Sequence, residues 1–222
     1  MDDLLKTSTF NKAIIPNNKT LIIGLSGGPD SVYLLHKLVD LRDSLQLTLI
    51  AVHLDHEWRP SSADDALFCK QLCEKLAVRF ITERSSTLEK KFSFNGSKES
   101  LARDMRRYLF EKVLNENNAD AIVLAHHLDD QQETFFINLI RGTSLTGLCG
   151  MKAQSEYYVR PMLSMTKKKF LIILKKNRFP FASIQQIQIT LFYATEYALR
   201  YFLHFLQLMK ELKITLHEPW PN

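Results

Sequence analysis

Cysteine and long apolar runs are scarce in this sequence of 222 residues, and each scarcity excludes a class of protein. The three cysteines are Cys69, Cys73 and Cys149, an odd number with no C-x-x-C pair. They argue against a disulfide framework, a zinc site or an iron–sulfur cluster. The N-terminus is acidic where a signal peptide is basic, and no membrane-length apolar stretch follows. We therefore expect a cytoplasmic protein that does not engage a membrane.

The overall composition is that of a globular domain with a basic balance. Hydrophobic residues make up 45% of the chain and charged residues 24%, enough apolar surface for a core. The formal net charge of +5 favours a polyanionic partner such as nucleic acid. A balance of this size is also common in enzymes that bind no nucleic acid, so it does not decide the partner.

Apolar runs alternate with helical patterns along the first 150 residues, which is typical of βαβ units. The pattern predicts a doubly wound α/β fold with a mainly parallel sheet of about five strands. Ser97 is the expected N-cap of the third long helix. The predicted strands cover 20–25, 47–54, 78–82 and 121–125; the predicted helices cover 30–41, 62–77, 97–115 and 131–141, with a loop at 142–150.

The stretch Ser26-Gly27-Gly28-Pro29-Asp30-Ser31 lies between the first predicted strand and its helix. Two glycines permit positive φ and let backbone amides close on an anion, and the helix start favours negative charge. The serines add hydroxyl donors, and Asp30 can hold Mg²⁺ on the phosphates. No Walker A lysine is present, which argues against the usual P-loop NTPase. An ordinary glycine turn is the alternative, but it does not account for the serines and the acid.

A second group of candidates follows the strand predicted at 121–125. Asp30 and Asp130 both follow parallel strands, so both should lie at one sheet edge, where a carboxylate pair can hold Mg²⁺. Alternatively, Asp130 or its neighbour Asp129 caps the next helix. His126 and His127 could contact the nucleotide or the acceptor, although a single histidine is more often structural.

Three further side chains are candidates for substrate contacts. Arg103 and Arg106 lie one helical turn apart and would present a positive face to RNA or phosphate. A solvated helix surface is the alternative for both. Glu133 lies three residues after Asp130, so it could orient an amine or an arginine from the same helical face.

Several of these motifs together resemble a known family. The Ser-Gly-Gly-x-Asp-Ser stretch is similar to the PP-loop of the N-type ATP pyrophosphatases. The other matching blocks resemble the tRNA(Ile)-lysidine synthases, over roughly residues 18 to 181. They are His53-Leu-Asp-His56 with Arg59, Glu99-Ser-Leu-Ala-Arg103-Asp-Met-Arg106, Ala125-His-His-Leu-Asp-Asp-Gln-Gln-Glu-Thr134, Arg141-Gly142 and Gly147-Leu148. One departure is the tyrosine that usually follows the second arginine, which is displaced to Tyr108.

The resemblance implies a reaction and its partners. In this family ATP, with Mg²⁺, adenylates the wobble cytidine of an isoleucine tRNA with a CAU anticodon. The ε-amine of free L-lysine then displaces AMP, and pyrophosphate is the other product. Asp30 and Asp130 would be catalytic and would hold Mg²⁺, the stretch 26–31 would bind ATP, and Asp130 or Glu133 would receive the lysine. Oligomeric state is not implied.

There are three alternatives to this function. A PP-loop tRNA thiolase needs a C-x-x-C pair or a dedicated cysteine, and Cys69-x-x-x-Cys73 supplies neither. Relatives of GMP synthetase and NAD synthetase share the loop but lack the block at 125–134. A truncated, inactive remnant that binds only nucleotide or RNA is the third possibility.

The sequence divides at about residue 181. Residues 1–181 form the expected PP-loop catalytic domain, whereas 182–222 contain no Gly, Asp or Cys and do not match the family. Back-translation from the third base of the Ala182 codon permits Val-Asp-Ser-Thr-Asn-Thr-Asp, and the codons of 192–198 permit Arg-Asn-Arg-Ile-Arg in the same frame. These are the family's next motifs at its spacing. We therefore expect that 182–222 are translated out of frame; the alternative is a divergent tail whose codons happen to permit these motifs.

Overall fold

The computed structural model describes residues 9–89, 92 and 97–182. The chain divides into two compact units. The larger unit contains the described residues up to 131 together with 151–182, and the described part of the smaller unit is 132–150. The expected out-of-frame tail lies, apart from Ala182, outside the described residues.

The larger unit is built on a six-stranded sheet in the order β3-β2-β1-β4-β6-β5. β1 pairs in parallel with β2 on one side and with β4 on the other, and only β5 is antiparallel. The predicted mainly parallel α/β sheet is therefore confirmed. The strands are β1 Thr20–Gly24, β2 Thr48–Asp55, β3 Arg79–Arg84, β4 Ala121–Val123, β5 Gln154–Ser155 and β6 Tyr158–Val159.

The last two strands were not predicted, because each has two residues and is too short to show a hydrophobic period. The described helices are α1 Pro29–Arg42, α2 Ser62–Lys75, α3 Ser85–Glu89, α4 Lys98–Glu116, α5 Leu128–Ile140, α6 Leu145–Leu148 and α7 Lys167–Lys176. The predicted cap of α4 is confirmed, since the Ser97 side chain accepts from the amide of Ser100. The loop predicted at 142–150 contains the short helix α6.

Helices cover both faces of the sheet, and the alternation of side chains along β1 shows how. Leu21 and Ile23 pack into one apolar cluster with residues of α1, α2 and α7. Ile22 points to the opposite face, into a cluster with Met105 and Leu109 of α4. A strand that is buried on both faces needs the unbroken apolar run that the sequence has at 20–25. The doubly wound arrangement is confirmed.

Within the part of the chain that the structure describes, no helix has the length and apolarity needed to cross a membrane.

Candidate active site

The phosphate loop joins the end of β1 to the start of α1. Gly27 has a φ of +85°, and a Cβ built there would lie 3.2 Å from Cys69 Sγ. Gly28 is the N-cap of α1, and Pro29 is the first helical residue, where its missing N–H costs nothing. Only glycine therefore suits position 27, on grounds of both backbone conformation and space.

The two serines of the loop hold it in shape through their own hydrogen bonds. Ser31 Oγ accepts from the amide of Ser26 at 3.1 Å and donates to the carbonyl of Gly28 at 3.0 Å. Ser26 Oγ accepts from the amide of Gly28 at 3.3 Å and lies 3.1 Å from Ser31 Oγ. These bonds fix the conformation of the loop through its own side chains, which lowers the entropy cost of binding a ligand.

A buried histidine fixes the point where the loop leaves the sheet. His53 of β2 is almost fully buried, and its Nδ1 lies 2.8 Å from the carbonyl oxygen of Leu25. The amide of Leu25 donates to the carbonyl of Val52 at 2.9 Å. The sequence motif contained His53 but indicated no role for it; a histidine that follows a run of apolar residues in a buried strand is the signal that could have revealed one.

Three carboxylates meet around one buried histidine, and we call this group the acidic half of the site: Asp30, Asp129, Asp130 and His127. Nε2 of His127 lies 3.6 Å from Asp30 Oδ2, and its Nδ1 lies 3.5 Å from Asp129 Oδ2 and 3.6 Å from Asp130 Oδ2. The His127 ring is buried and packs on Phe170 of α7, with the ring centroids 5.4 Å apart. The prediction that Asp30 and Asp130 lie at one sheet edge is met.

The carboxylates and the histidine shift one another's ionisation. Burial opposes charge on His127, but its pairing with Asp30 and the charges of Asp130 and Asp129 outweigh this and raise its pKa. Burial raises the pKa of Asp130, against the lowering effect of His127. Oδ1 of Asp30 is buried and has no hydrogen-bond partner in the described part of the chain. A buried carboxylate oxygen left in this state is suited to a cation.

Asp129 and Asp130 also hold helix starts. Asp130 Oδ2 accepts from the amide of His127 at 2.8 Å, so α5 begins three residues earlier than the sequence predicted. Asp129 Oδ2 accepts from the amide of Lys167 at 2.9 Å and so caps α7. Asp130 thus lies in the first turn of α5 and is not its N-cap, which the sequence offered as the alternative; its bond to the His127 amide coexists with the placement beside Asp30.

A second group at the same edge, which we call the basic half, consists of Arg103, Arg106, Arg160, His56 and His126. Burial lowers the pKa of His126 to about 4, with further lowering by Arg160, Arg103 and Arg106. Burial followed by Arg106 lowers the pKa of His56 to about 4 as well. Both histidines are therefore neutral at physiological pH. Among the side chains that the structure describes, no carboxylate pairs with any of the three arginines.

Arg160 is the member of the basic half to which sequence reasoning gave no role. Its Nη1 donates to the carbonyl of Lys152 at 3.0 Å and to Ser155 Oγ at 3.2 Å. Its guanidinium lies 5.5 Å from the ring of Tyr158, and Tyr158 Oη donates to Glu111 at 3.1 Å. The short hairpin β5–β6 thus fixes the position of the Arg160 side chain. No sequence pattern predicted that hairpin.

Buried polar atoms without a partner concentrate where the parallel strands end. Five such atoms within the described ranges follow the carboxyl ends of β1, β2, β4 and β6: Asp30 Oδ1, His56 Nδ1, His126 Nδ1, His127 Nδ1 and Arg160 Nε. Folded proteins satisfy nearly all buried polar groups, so unsatisfied groups gathered in one place indicate a ligand site. Open α/β sheets bind their ligands at this edge.

The structure brings together most of the residues that the sequence singled out. The loop 26–31, Asp30 with Asp130, and Arg103 with Arg106 and His126 all belong to the larger unit. His127, predicted as a substrate contact, is buried among the carboxylates. Glu133 lies on α5 in the smaller unit. The described residues contain no cluster of three or more His, Cys, Asp or Glu side chains arranged to hold a metal ion.

Comparison with known proteins shows which family and which relatives this chain resembles. The model of the PP-loop domain matches residues 4–185. The chain is 33% identical to the tRNA(Ile)-lysidine synthase of Clostridium acetobutylicum over 169 residues, covering 75% of this chain and 36% of that protein. It is 34% identical to that of Pseudothermotoga lettingae over 178 residues, covering 80% and 40%. The chain thus spans a little over a third of the length of these curated relatives.

Solved structures share the fold at low sequence identity. The U34-tRNA thiolase NcsA from Methanococcus maripaludis, solved with its [4Fe-4S] cluster, superposes with a TM-score of 0.64 at 19% identity, covering 82% of this chain and 67% of that one. The NMN synthetase of Francisella tularensis superposes with a TM-score of 0.50 at 16% identity, covering 81% and 69%. At these identities the likeness concerns the fold alone.

Proposed function

The chain belongs to the PP-loop family of ATP-binding domains, and on that basis we propose that it is the ATP-using domain of a tRNA(Ile)-lysidine synthase. The observation that carries the proposal is the pairing of an acidic half and a basic half at one edge of the sheet. The first has the chemistry to bind magnesium and phosphates, and the second has the chemistry to bind RNA. The curated relatives that match over most of this chain bear this name.

The phosphate loop and the acidic half support ATP and Mg²⁺ as ligands. Gly27 and Gly28 leave the start of α1 free of side chains, where a phosphate is favoured. Asp30 and Asp130 would hold Mg²⁺, and Asp30 Oδ1 is available to it. Mg²⁺ commonly takes only one or two protein carboxylates and completes its shell with phosphate oxygens and water, so two suffice. Bound there, the ion would neutralise charge on the phosphates.

The basic half supports a nucleic-acid substrate. Three arginines gather around His126, and none has a carboxylate partner among the described side chains, so they offer positive charge to a phosphodiester. The neutral His56 and His126 can exchange hydrogen bonds with a base edge. Trp58 is 54% exposed, and its ring lies 4.9 Å from that of His56, so it offers a stacking surface for an unpaired base.

In the proposed reaction, the C2 oxygen of the wobble cytidine attacks the α-phosphorus of ATP. The bond between that phosphorus and the bridging oxygen breaks, and pyrophosphate leaves. The ε-amine of L-lysine next attacks C2 and loses a proton, the C2–O bond breaks, and AMP leaves. The loop would orient the phosphates, the basic half would hold the nucleotide, and Asp130 or Glu133 would receive the lysine ammonium.

The cysteines favour this function over a thiolase. Cys69 and Cys73 lie on α2, fully buried in the apolar core. Burial raises the pKa of both thiols, that of Cys73 to about 12, so neither supplies a thiolate at neutral pH. Cys149 lies in the smaller unit, without a second cysteine nearby in sequence.

We also propose that residues 182–222 are translated out of frame. The motifs Asp-x-Thr-Asn and Arg-Asn-x-x-Arg, permitted in the alternative frame, support this. If it is correct, the 222-residue chain lacks arginines that the reaction uses and has little lysine-transfer activity. The nucleotide sequence from codon 182 tests it directly, because these motifs must be encoded there; their absence from every frame refutes it.

The function is tested with labelled lysine. A chain continued in the alternative frame from codon 182 should transfer lysine to an isoleucine tRNA with a CAU anticodon and not to one with a GAU anticodon, in an ATP-dependent manner. Transfer of sulfur, or ammonia-dependent amidation of a small nucleotide, would favour another PP-loop enzyme. ATP binding without any transfer by this continued chain would indicate a remnant that binds nucleotide only.

A further inference from the structure

The phosphate loop contains no lysine, yet the fold brings one to it from the far end of the domain. Lys167 is the first residue of α7 and lies more than 130 positions after the loop. Its Nζ lies 4.0 Å from Oδ2 of Asp30. The sequence shows a phosphate loop that contains no cationic residue. In the folded protein, the ammonium of Lys167 lies beside that loop.

The position of Lys167 is fixed from two sides. Its amide donates to the carboxylate of Asp129 at 2.9 Å, which ties the start of α7 to the start of α5. One turn further along α7, Phe170 is fully buried and packs against the ring of His127. The side chain of Lys167 is only 18% exposed. An ammonium held in this way loses little further conformational freedom when it binds a ligand.

The negative charge of the acidic half would be stabilised by a cation such as the Lys167 ammonium. Three carboxylates surround His127 where the phosphate chain of ATP would approach, and like charges repel strongly at short range in partly buried surroundings. Beside His127, the ammonium of Lys167 lies within ion-pair distance of one of these carboxylates, that of Asp30. At 4.0 Å its contact with Asp30 is too long for a hydrogen bond, so Nζ keeps donors for a ligand.

We propose that Lys167 binds the phosphate chain of ATP and compensates the charge that develops on the leaving pyrophosphate. The inference rests on the proposed use of ATP at this site. Lys167 would act as the lysine of a P-loop does, but from a different helix. An ammonium suits this task because it is a compact point charge with three donors and can follow a moving phosphate.

Calorimetric titration of the 222-residue chain with magnesium pyrophosphate, with ATP and with adenosine tests the proposal. Lys167→Met should weaken pyrophosphate and ATP binding about tenfold to a hundredfold, the range expected for a lost charged contact. Adenosine affinity should stay within about twofold, since adenosine carries no phosphate. Lys167→Arg should retain most of the affinity for pyrophosphate.

Lys168→Met is the matched control, because Lys168 is the next residue of α7 and its side chain is exposed. It should leave all three affinities unchanged. Should Lys167→Met fail to fold, Lys167→Gln carries the same test. Unchanged pyrophosphate affinity in the Met or Gln variant overturns the proposal, and so does equal weakening of adenosine and pyrophosphate.

The outcomes also separate this inference from the proposed function. A selective loss of pyrophosphate binding, together with no lysine transfer by the chain continued in the alternative frame, would support the role of Lys167 and refute the lysidine reaction. A wild-type chain that binds neither ATP nor pyrophosphate would refute both.

Discussion

The acidic half and the basic half of the site lie at the same sheet edge and differ in how their charges are held. In the acidic half, every carboxylate lies within 3.6 Å of His127, and Asp129 and Asp130 also accept backbone hydrogen bonds. In the basic half, the arginines have backbone and aromatic contacts but no carboxylate among the described side chains. The carboxylates of one half thus have a cationic partner within the site, whereas the arginines of the other have none of opposite charge among the described side chains.

This difference indicates how each half would meet its ligand. Carboxylates that already contact His127 and Lys167 can exchange a cationic partner for Mg²⁺ when the ion arrives with the phosphates. Arginines that gain a counter-charge from the ligand itself favour a polyanion and make binding depend on salt. The two halves should therefore respond differently to substitution.

The largest effect is expected from the acidic half. Asp30→Ala removes the carboxylate that faces His127 and Lys167, and with it the proposed magnesium ligand. ATP–pyrophosphate exchange by a chain continued in the alternative frame should fall by on the order of a hundredfold or more. Isotope exchange measures this, with circular dichroism to check the fold.

Asp40→Ala is the control for that substitution, since Asp40 lies on the same helix, is exposed and pairs only with Lys37 in the described contacts. It should exchange at the normal rate. Full exchange by Asp30→Ala would remove the basis for assigning phosphate and metal to this half.

The next largest effect concerns the preorganisation of the phosphate loop. Gly27→Ala places a side chain at a φ of +85°, which is strained, and crowds Cys69. We therefore expect the free energy of unfolding to fall by about 2–3 kcal/mol. Gly142 has a φ of +66° but open space around its Cβ position. Gly142→Ala should therefore lower the free energy of unfolding through backbone strain alone. Denaturant unfolding measures both, and equal losses would show that crowding at Gly27 is unimportant.

A smaller effect is expected in the basic half. Arg160→Ala should weaken tRNA binding about tenfold and reduce the slope of log affinity against log salt by about one, leaving ATP binding unchanged. Filter binding over a salt series measures it. Arg107 on α4 already pairs with Glu111, so Arg107→Ala should leave the slope unchanged. If Arg160→Ala weakens the binding of ATP as much as the binding of tRNA, the division of the site into an acidic and a basic half is wrong.

Much of the fold was predictable, because the determining patterns are local. The buried strands β1 and β2 have continuous apolar runs, and α4 has both its cap and its amphipathic spacing. The hairpin β5–β6 and the helix α7 were not predicted. Strands of two residues have no period to detect, and the order of strands in the sheet depends on contacts between distant segments.

The candidate site, like the fold, has a part that local sequence determines and a part that depends on contacts between distant segments. The sequence by itself determined the phosphate loop and the carboxylates of its edge, because glycines, serines and acids at fixed spacing have a local chemical meaning. Only the tertiary structure decided that His127 is buried among those carboxylates, that Arg160 joins Arg103 and Arg106, and that Lys167 reaches Asp30. Those side chains come from strands and helices far apart in the chain, and packing of the core on both faces of the sheet is what brings them to the same sheet edge.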